Sequence, residues 1–201
     1  LYPTEHPCCE FLHAEGATNI PPYLKSAKVL SKEFSHAVIG LFDRDQEGRK
    51  QMKEFSSFSM VSGTEFCEFC SRRLLYAGLL PIPEDFRAIE KSVNAALMND
   101  IHLPIPIEFM FSPEVIRKAL EQGKIELEDR IARINDPELP TTINLSEMYS
   151  RHLPQGCEHF AKKVRKGTKI GFSNWVVHEP AESFENFRPL FEQLKNIINI
   201  E

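Results

Sequence analysis

The sequence lacks several features that identify common classes of protein. Its 201 residues contain no apolar run near the roughly 20 residues that span a bilayer, so we expect no membrane helix and no membrane partner. There is no Gly-x-x-x-x-Gly-Lys-Ser/Thr loop, which excludes ATP binding through a P-loop in this chain. No histidines have the His-Glu-x-x-His spacing of a zinc protease, and no internal repeat or low-complexity tract is present.

Cysteine is scarce, and basic residues are not in excess. Five cysteines, an odd number, argue against a disulfide-stapled secreted domain and favour the cytoplasm. The 24 Lys and Arg residues are outnumbered by 29 Asp and Glu residues, which gives a formal net charge of −5. That balance excludes a protein that coats nucleic acid by bulk electrostatics, but it is compatible with an enzyme that contacts phosphates locally. The chain opens in a Pro-rich stretch without Met, and we expect it to be a fragment of a longer protein.

Apolar runs and turn signals alternate in the order of a βαβ unit. Residues 9–13 predict a strand that ends at Glu15-Gly16, and residues 22–34 predict a helix. Residues 37–42 are continuously apolar and β-branched, which predicts a strand buried on both faces. A short helix is predicted over residues 49–55. We therefore predict an α/β fold with a parallel sheet flanked by helices.

The rest of the chain divides into a core and a helical part. We assign residues 1–110 to the α/β core and residues 111–201 to a largely helical C-terminal part that completes the domain. Ser112 is the predicted cap of a helix that begins with Pro113. The smaller predictions are an inserted hairpin within 56–72, a strand over 74–80, a short apolar segment over 105–111, a loop over 135–140, and mostly helical structure over 145–200 with breaks near 154–156 and 179–180.

Three acids follow the ends of the first two predicted strands. Glu15 ends the first strand, Asp43 ends the second, and Asp45 lies two residues further on. Because ligands bind at the carboxyl ends of the strands in an open parallel sheet, these carboxylates are expected to meet at one edge. Such an oxygen-rich site suits Mg²⁺ or Mn²⁺ rather than Zn²⁺. The alternative is that Asp43 and Asp45 only form a turn and cap the next helix.

The combination of Glu15-Gly16 with Asp43-Arg44-Asp45-Gln46-Glu47-Gly48 resembles the Toprim domain of topoisomerases, bacterial primases and several nucleases. The resemblance covers about the first quarter of the chain. It implies a Rossmann-like Toprim core in which Glu15 is a general acid/base or metal ligand, and Asp43 and Asp45 bind divalent ions. None of the four tyrosines has a context that we recognise as catalytic for a topoisomerase, which favours a hydrolytic nuclease.

Later residues resemble the overcoming-lysogenisation-defect nucleases and related antiphage Toprim effectors. Glu108 matches an acid in an Ile-Glu context, and Lys166 and Lys169 are candidates for a lysine before the closing helix. The resemblance implies a Mg²⁺-dependent DNA endonuclease with two metal ions and a role in phage defence. RNA remains open as a substrate, an ATPase domain or chain is an implied partner, and a homo-oligomer is compatible. Asn19 stands where that branch commonly has an acid, so one metal position is expected to be weaker.

Other interpretations stay open. The chain can be a Toprim scaffold whose active site has decayed, an interpretation that Asn19 favours. It can also be a phosphoryl-accepting domain of the response-regulator or phosphatase kind. Another candidate is a zinc site formed by Cys67, Cys70, Cys157 and His159, in which only the first pair has the usual ligand spacing. The alternative is a hairpin with two half-buried thiols. The basic run 162–166 is either a phosphate contact or a solvated helix face. Apolar residues over 184–198 repeat at helical spacing and indicate core or subunit packing.

Overall fold

The structure is a computed structural model that describes residues 12, 14–30, 37–70, 74–97, 101–134 and 141–198. The predicted first strand, 9–13, lies outside the described residues except for Leu12, and the predicted loop, 135–140, lies wholly outside them. Among the helices of the described ranges, none is long and apolar enough to cross a membrane.

A four-stranded mixed sheet forms the centre of the α/β fold. Its strands are β1 (Val38–Phe42), β2 (Ser59–Met60), β3 (Phe66–Cys70) and β4 (Leu75–Leu79), in the order β1-β4-β3-β2. Strands β1 and β4 pair in parallel, as predicted, whereas β4 with β3 and β3 with β2 pair antiparallel. The prediction of α/β structure and of a hairpin within 56–72 is confirmed. The prediction of an all-parallel sheet is wrong for this region, because the hairpin is built into the sheet rather than inserted beside it.

Two helices flank β1 in sequence. Helix α1 (Ile20–Leu30) packs closely on β1: a Cβ atom on Gly40 would lie 2.6 Å from the Leu24 side chain, so a larger residue there would require Leu24 to shift. Helix α2 (Gln46–Met52) begins earlier than predicted because Asp45 caps it, and a 3₁₀ turn (Lys53–Phe55) extends it.

Two further helices connect the sheet to the C-terminal part. Helix α3 (Glu84–Ala96), which the sequence analysis left unassigned, follows β4. A 3₁₀ turn (Ile107–Met110) then leads into helix α4 (Pro113–Glu121). The side chain of Ser112 accepts a hydrogen bond from the Val115 amide, so the predicted cap is confirmed.

The C-terminal part is mostly helical, as predicted, but it also contains short strands. Its helices are α5 (Leu145–Ser150), α6 (Lys169–Val176) and α7 (Arg188–Ile198). Strands β5 (Leu127–Glu128) and β8 (Lys163–Val164) pair antiparallel, as do β6 (Ile131–Ile134) and β7 (Thr141–Asn144). These two ribbons were not predicted, because each pairing joins segments whose own apolar pattern is too short to indicate a strand.

Hydrophobic cores cover both faces of the central sheet. Alternate residues of β4 belong to different clusters: Leu75 and Ala77 pack with Leu24 of α1, whereas Tyr76 packs with residues of the C-terminal part. This alternation follows from the two-residue period of a strand. The sheet is therefore buried between α1 and the C-terminal helices, and its β1 end faces the segment that carries Glu108.

Candidate active site

Asp43 stands immediately after β1 and is half-buried. Burial, followed by the negative charges of Glu108 and Asp45, raises the pKa of its carboxyl to about 6. The Lys169 ammonium and a backbone N–H of Ile107 act in the opposite direction. The structure thus brings together four residues that the sequence analysis named: Asp43, Asp45, Glu108 and Lys169.

Asp45 and Gly48 explain the local form of the Asp-x-Asp-x-x-Gly sequence. The Asp45 side chain accepts a hydrogen bond of 2.8 Å from the Gly48 amide and so caps α2. A Cβ atom at position 48 would lie 2.0 Å from the carbonyl oxygen of Asp43, so glycine is required for the helix to start against the end of β1. The capping alternative is therefore confirmed for one Asp45 oxygen, and capping coexists with the acid cluster.

Glu108 reaches Asp43 through backbone pairing. The Ile105 amide donates to the carbonyl oxygen of Arg44 at 3.0 Å, which aligns the following segment with the end of β1. The 3₁₀ turn (Ile107–Met110) then directs Glu108 inward, where it is 7% exposed. Its Oε1 accepts from Lys169 Nζ at 2.8 Å, while its Oε2 is buried with no hydrogen-bond partner among the described residues. An orphaned buried carboxylate oxygen is costly, and it marks a place for a cation or donor.

The two candidate lysines differ in their surroundings. Lys169 begins α6, is half-buried, and contacts Glu108. Lys166 is exposed in the preceding 3₁₀ turn (Lys166–Thr168). Only Lys169 acts electrostatically on Asp43. The contacts therefore favour Lys169 as the lysine of the site.

Glu15 and Asn19 lie in the turn before α1. Glu15 is exposed, with a left-handed φ of 59°, and its charge is not among those that act on Asp43. The Asn19 side chain donates to the carbonyl oxygen of Ala14 at 2.9 Å, which closes the turn. The 3₁₀ turn (Ala17–Asn19) contacts α2. The turn lies beside the helix that Asp45 caps, but the Glu15 carboxylate is not part of the Asp43 cluster.

The carboxylates of Asp43, Asp45 and Glu108 form an all-oxygen donor set, which suits Mg²⁺ or Mn²⁺. Across the described ranges, no three His, Cys, Asp or Glu side chains already stand in the arrangement of a shared metal site. Two observations still fit a cation here. The Oε2 atom of Glu108 has no partner among the described residues, and the neighbouring acids add to burial in raising the pKa of Asp43. The residues fit a divalent ion by chemistry and charge, and binding requires side-chain rotation.

Arg130 is a cation near the cluster that sequence reasoning missed. It is partly buried, and burial lowers its pKa to about 10, while the nearby Tyr149 hydroxyl and Asp45 carboxylate act in the opposite direction. Its Nε donates to the carbonyl oxygen of Lys162 at 2.8 Å. Arg130 directly precedes β6, and only tertiary structure brings it near Asp45, so the sequence carries no local signal for its position.

Arg44, between the two aspartates, points into a separate ion-pair network. Its side chain is 5% exposed, and it pairs with Glu90 at 3.0 Å and with Glu65 at 3.2 Å. Arg49 also pairs with Glu90, and Arg87 pairs with Glu65. Each of the two acids therefore contacts two guanidinium groups. This network anchors the Arg44 side chain and so holds the backbone between Asp43 and Asp45.

The three cysteines that the structure describes, Cys67, Cys70 and Cys157, do not converge. Cys67 and Cys70 pack with the hydrophobic cluster of α1, whereas Cys157 packs against the cluster of the C-terminal part. His159 lies near Phe109 and Phe160, and burial lowers its pKa to about 4, so its imidazole is neutral at pH 7. The hairpin alternative describes these residues better than the zinc interpretation does, with Cys70 half-buried and Cys67 fully buried.

The basic run 162–166 is largely neutralised within the chain. Lys162 pairs with Asp129, Lys163 with Glu128 at 3.0 Å, and Arg165 with Glu126 at 2.5 Å. These residues flank the β5–β8 ribbon on an exposed surface. The interpretation as a solvated surface therefore applies to most of the run.

No protein-family model, curated protein or solved structure matches the chain. Its function must therefore be inferred from the acid cluster, its lysine and their surroundings.

Proposed function

We propose that the chain is a divalent-metal-dependent nuclease with a Toprim-like core, and that it hydrolyses DNA phosphodiesters. One observation carries the proposal: Asp43, Asp45 and Glu108 meet at the end of β1 with Lys169, and one buried oxygen of Glu108 has no partner in the part of the chain that the structure describes. Carboxylates that cluster together and are not neutralised by neighbouring cationic side chains bind divalent ions readily. A lysine beside them supplies the positive charge that an anionic substrate needs.

The Toprim-like assignment rests on how the fold uses the sequence motif. A parallel β1–β4 pair places Asp43 at a strand end, Asp45 caps the following helix, and Gly48 permits their close contact. Glu108 comes from a later segment, and its Ile-Glu context is the one that resembles the antiphage effectors. The decayed-scaffold alternative predicts no metal binding, whereas the buried Glu108 oxygen, which has no partner among the described residues, offers a ligand for an ion.

The proposed roles follow from position. Asp43, Asp45 and Glu108 would hold Mg²⁺ or Mn²⁺, which when bound activates water and screens phosphate charge. Lys169 is placed to donate to a non-bridging phosphate oxygen and so stabilise developing negative charge. Arg130 lies near Asp45 and would be a second cation that contacts the phosphate backbone of the substrate. Glu15 remains the predicted acid/base; its exposure leaves it free to meet substrate.

The test is cleavage of supercoiled plasmid and of single-stranded DNA with Mg²⁺ or Mn²⁺. We expect Asp43→Asn to reduce cleavage to background and Lys169→Met to reduce it about 100- to 1,000-fold. Glu192→Gln, an exposed acid on α7, serves as the matched control and should keep full activity. Glu15→Gln tests the predicted acid/base separately.

Metal binding separates the remaining outcomes. Calorimetry should detect Mg²⁺ or Mn²⁺ binding by the wild type that Asp43→Asn removes. A folded wild type that neither cuts nor binds metal would contradict the proposal and favour the decayed scaffold. Metal binding without cutting would mean that cleavage needs a partner, such as the ATPase that the resemblance implies.

A phosphoryl-accepting domain is the second candidate. It is favoured by a single strand-end aspartate, Asp43, whose carboxyl lies close to the Lys169 ammonium. It predicts a covalent phospho-aspartate after incubation with acetyl phosphate and Mg²⁺, detected by intact mass. Asp43→Asn would remove that adduct, and strand cleavage would then be absent in the wild type.

A further inference from the structure

A cavity opens directly beside the acid cluster. Its volume is about 230 Å³, and it lies between the 3₁₀ turn (Ile107–Met110), α6 and the 3₁₀ turn (Ala181–Phe187). Two of its wall residues, Glu108 and Lys169, are the pair that contact each other in the candidate active site. Whatever occupies the cavity therefore lies next to the proposed metal site.

Apart from Ser173, the rest of the wall is apolar, and half of its residues are phenylalanines. The Phe111 ring lies 5.4 Å from Phe172, 5.3 Å from Phe184 and 5.1 Å from Phe187, and all four line the cavity. Val177, which is 62% exposed, and Ile107, which is 39% exposed, also line it. A lining of this kind takes a flat, weakly polar group rather than a charged one.

We propose that this cavity receives one unpaired nucleobase of the nucleic-acid substrate, adjacent to the phosphate held at the acid cluster. This inference rests on the proposed nuclease function. A nucleotide joins an anionic phosphate to a flat aromatic base. The chain places a lysine, which suits the phosphate, beside an apolar aromatic cavity, which suits the base. The cavity is smaller than the roughly 300–1,000 Å³ of drug-sized ligand sites, so it suits one base and excludes a base pair. The substrate would be single-stranded, or its base would be turned out of the duplex.

The test compares two strands with the same number of phosphates: oligo(dT), and an abasic strand of equal length. Their affinities for the whole chain are measured by fluorescence anisotropy at fixed salt, with Ca²⁺ present. Base stacking predicts that the abasic strand binds the wild type about 5- to 150-fold more weakly.

A filled cavity should erase that difference. Ser173 lines the cavity and is exposed on α6, so Ser173→Trp can fill the space without disturbing the core. We expect it to bind oligo(dT) as weakly as the abasic strand. Asn174→Trp, the neighbouring exposed position that does not line the cavity, is the matched control and should behave as the wild type.

The outcomes distinguish the two proposals. If the wild type binds oligo(dT) and the abasic strand equally well, or Ser173→Trp keeps wild-type affinity, the base site is wrong and the nuclease proposal stands. If neither strand binds and no substrate is cut, the nuclease proposal fails and the base site fails with it. If Ser173→Trp changes only the sedimentation of the protein, the cavity is a contact between copies of the chain, which also overturns the inference.

Discussion

Two groups of charged side chains lie on either side of one short peptide, and they are organised in opposite ways. Arg44 enters a buried network in which Glu90 and Glu65 each contact two guanidinium groups. Asp43, its neighbour, enters a cluster in which burial and then the carboxylates of Glu108 and Asp45 raise its pKa. In the first group every charged side chain pairs with an opposite charge, although Arg49 Nε is buried without a hydrogen-bond partner among the described residues. In the second group it is a carboxylate oxygen, Oε2 of Glu108, that has no partner among the described residues. We infer that the network maintains the fold and that the cluster is kept for a ligand.

The largest expected effect comes from breaking the Arg44 network. Glu90→Gln leaves the buried guanidinium of Arg44 short of a counter-charge, so the free energy of unfolding should fall by about 3–5 kcal/mol. Urea denaturation followed by circular dichroism measures the change. Glu84→Gln, an exposed acid on the same helix that pairs with Arg87 at 3.4 Å, is the control and should cost less than about 1 kcal/mol. Equal effects at the two positions would contradict the assignment of a structural role to the network.

The acid cluster should respond in the opposite sense. Asp43→Asn removes a half-buried charge beside two other acids, so in EDTA at pH 7 it should raise the free energy of unfolding by about 1–3 kcal/mol. The pKa of Asp43 is raised in the folded protein, so the wild-type penalty is full above about pH 6 and vanishes as the pH falls toward 3.8, the ordinary value. The stabilisation by Asp43→Asn should therefore disappear between those values.

Denaturation across this pH range measures the effect on the same variants. Asp129→Asn is the control, because Asp129 is exposed and pairs with Lys162 on the surface. If Asp43→Asn is more stable than the wild type but inactive, the Asp43 carboxylate serves function at a cost in stability. Destabilisation by Asp43→Asn at pH 7 would mean that the carboxylate is satisfied and that the contrast with the Arg44 network is wrong.

The sequence predicted one side of this contrast better than the other. The apolar run before Asp43 and the motif through Gly48 are local signals, and they led to the cluster's first two acids. Glu108 and Lys169 were reached through family resemblance. Glu90 and Arg130 were missed because their partners lie far away in the chain, although Pro83 followed by two acids is a readable start signal for α3.

The sequence also allows part of the mixed strand pairing in the sheet to be predicted. Residues 71–74, which separate β3 from β4, are too few for the crossover of about a dozen residues that a parallel pair needs. The antiparallel pairing of these strands therefore follows from the length of the connection. The pairing of Ile105 with Arg44, which delivers Glu108 to the site, had no such signal, because it is a single bridge outside any strand.

The smallest expected effect separates the two roles of Asp45. Asp45→Ala removes the cap of α2 and should lower the free energy of unfolding by about 0.5–2 kcal/mol, whereas Asp45→Asn keeps a capping oxygen and should cost only a few tenths. If Asp45 also holds a metal ion, both variants should weaken Mg²⁺ or Mn²⁺ binding in calorimetry, because an amide contributes no charge. Stability and metal affinity would then change independently at one residue. If Asp45→Asn matches the wild type in both measurements, Asp45 is a cap alone, and Asp43 and Glu108 are the carboxylates that remain to bind the ion.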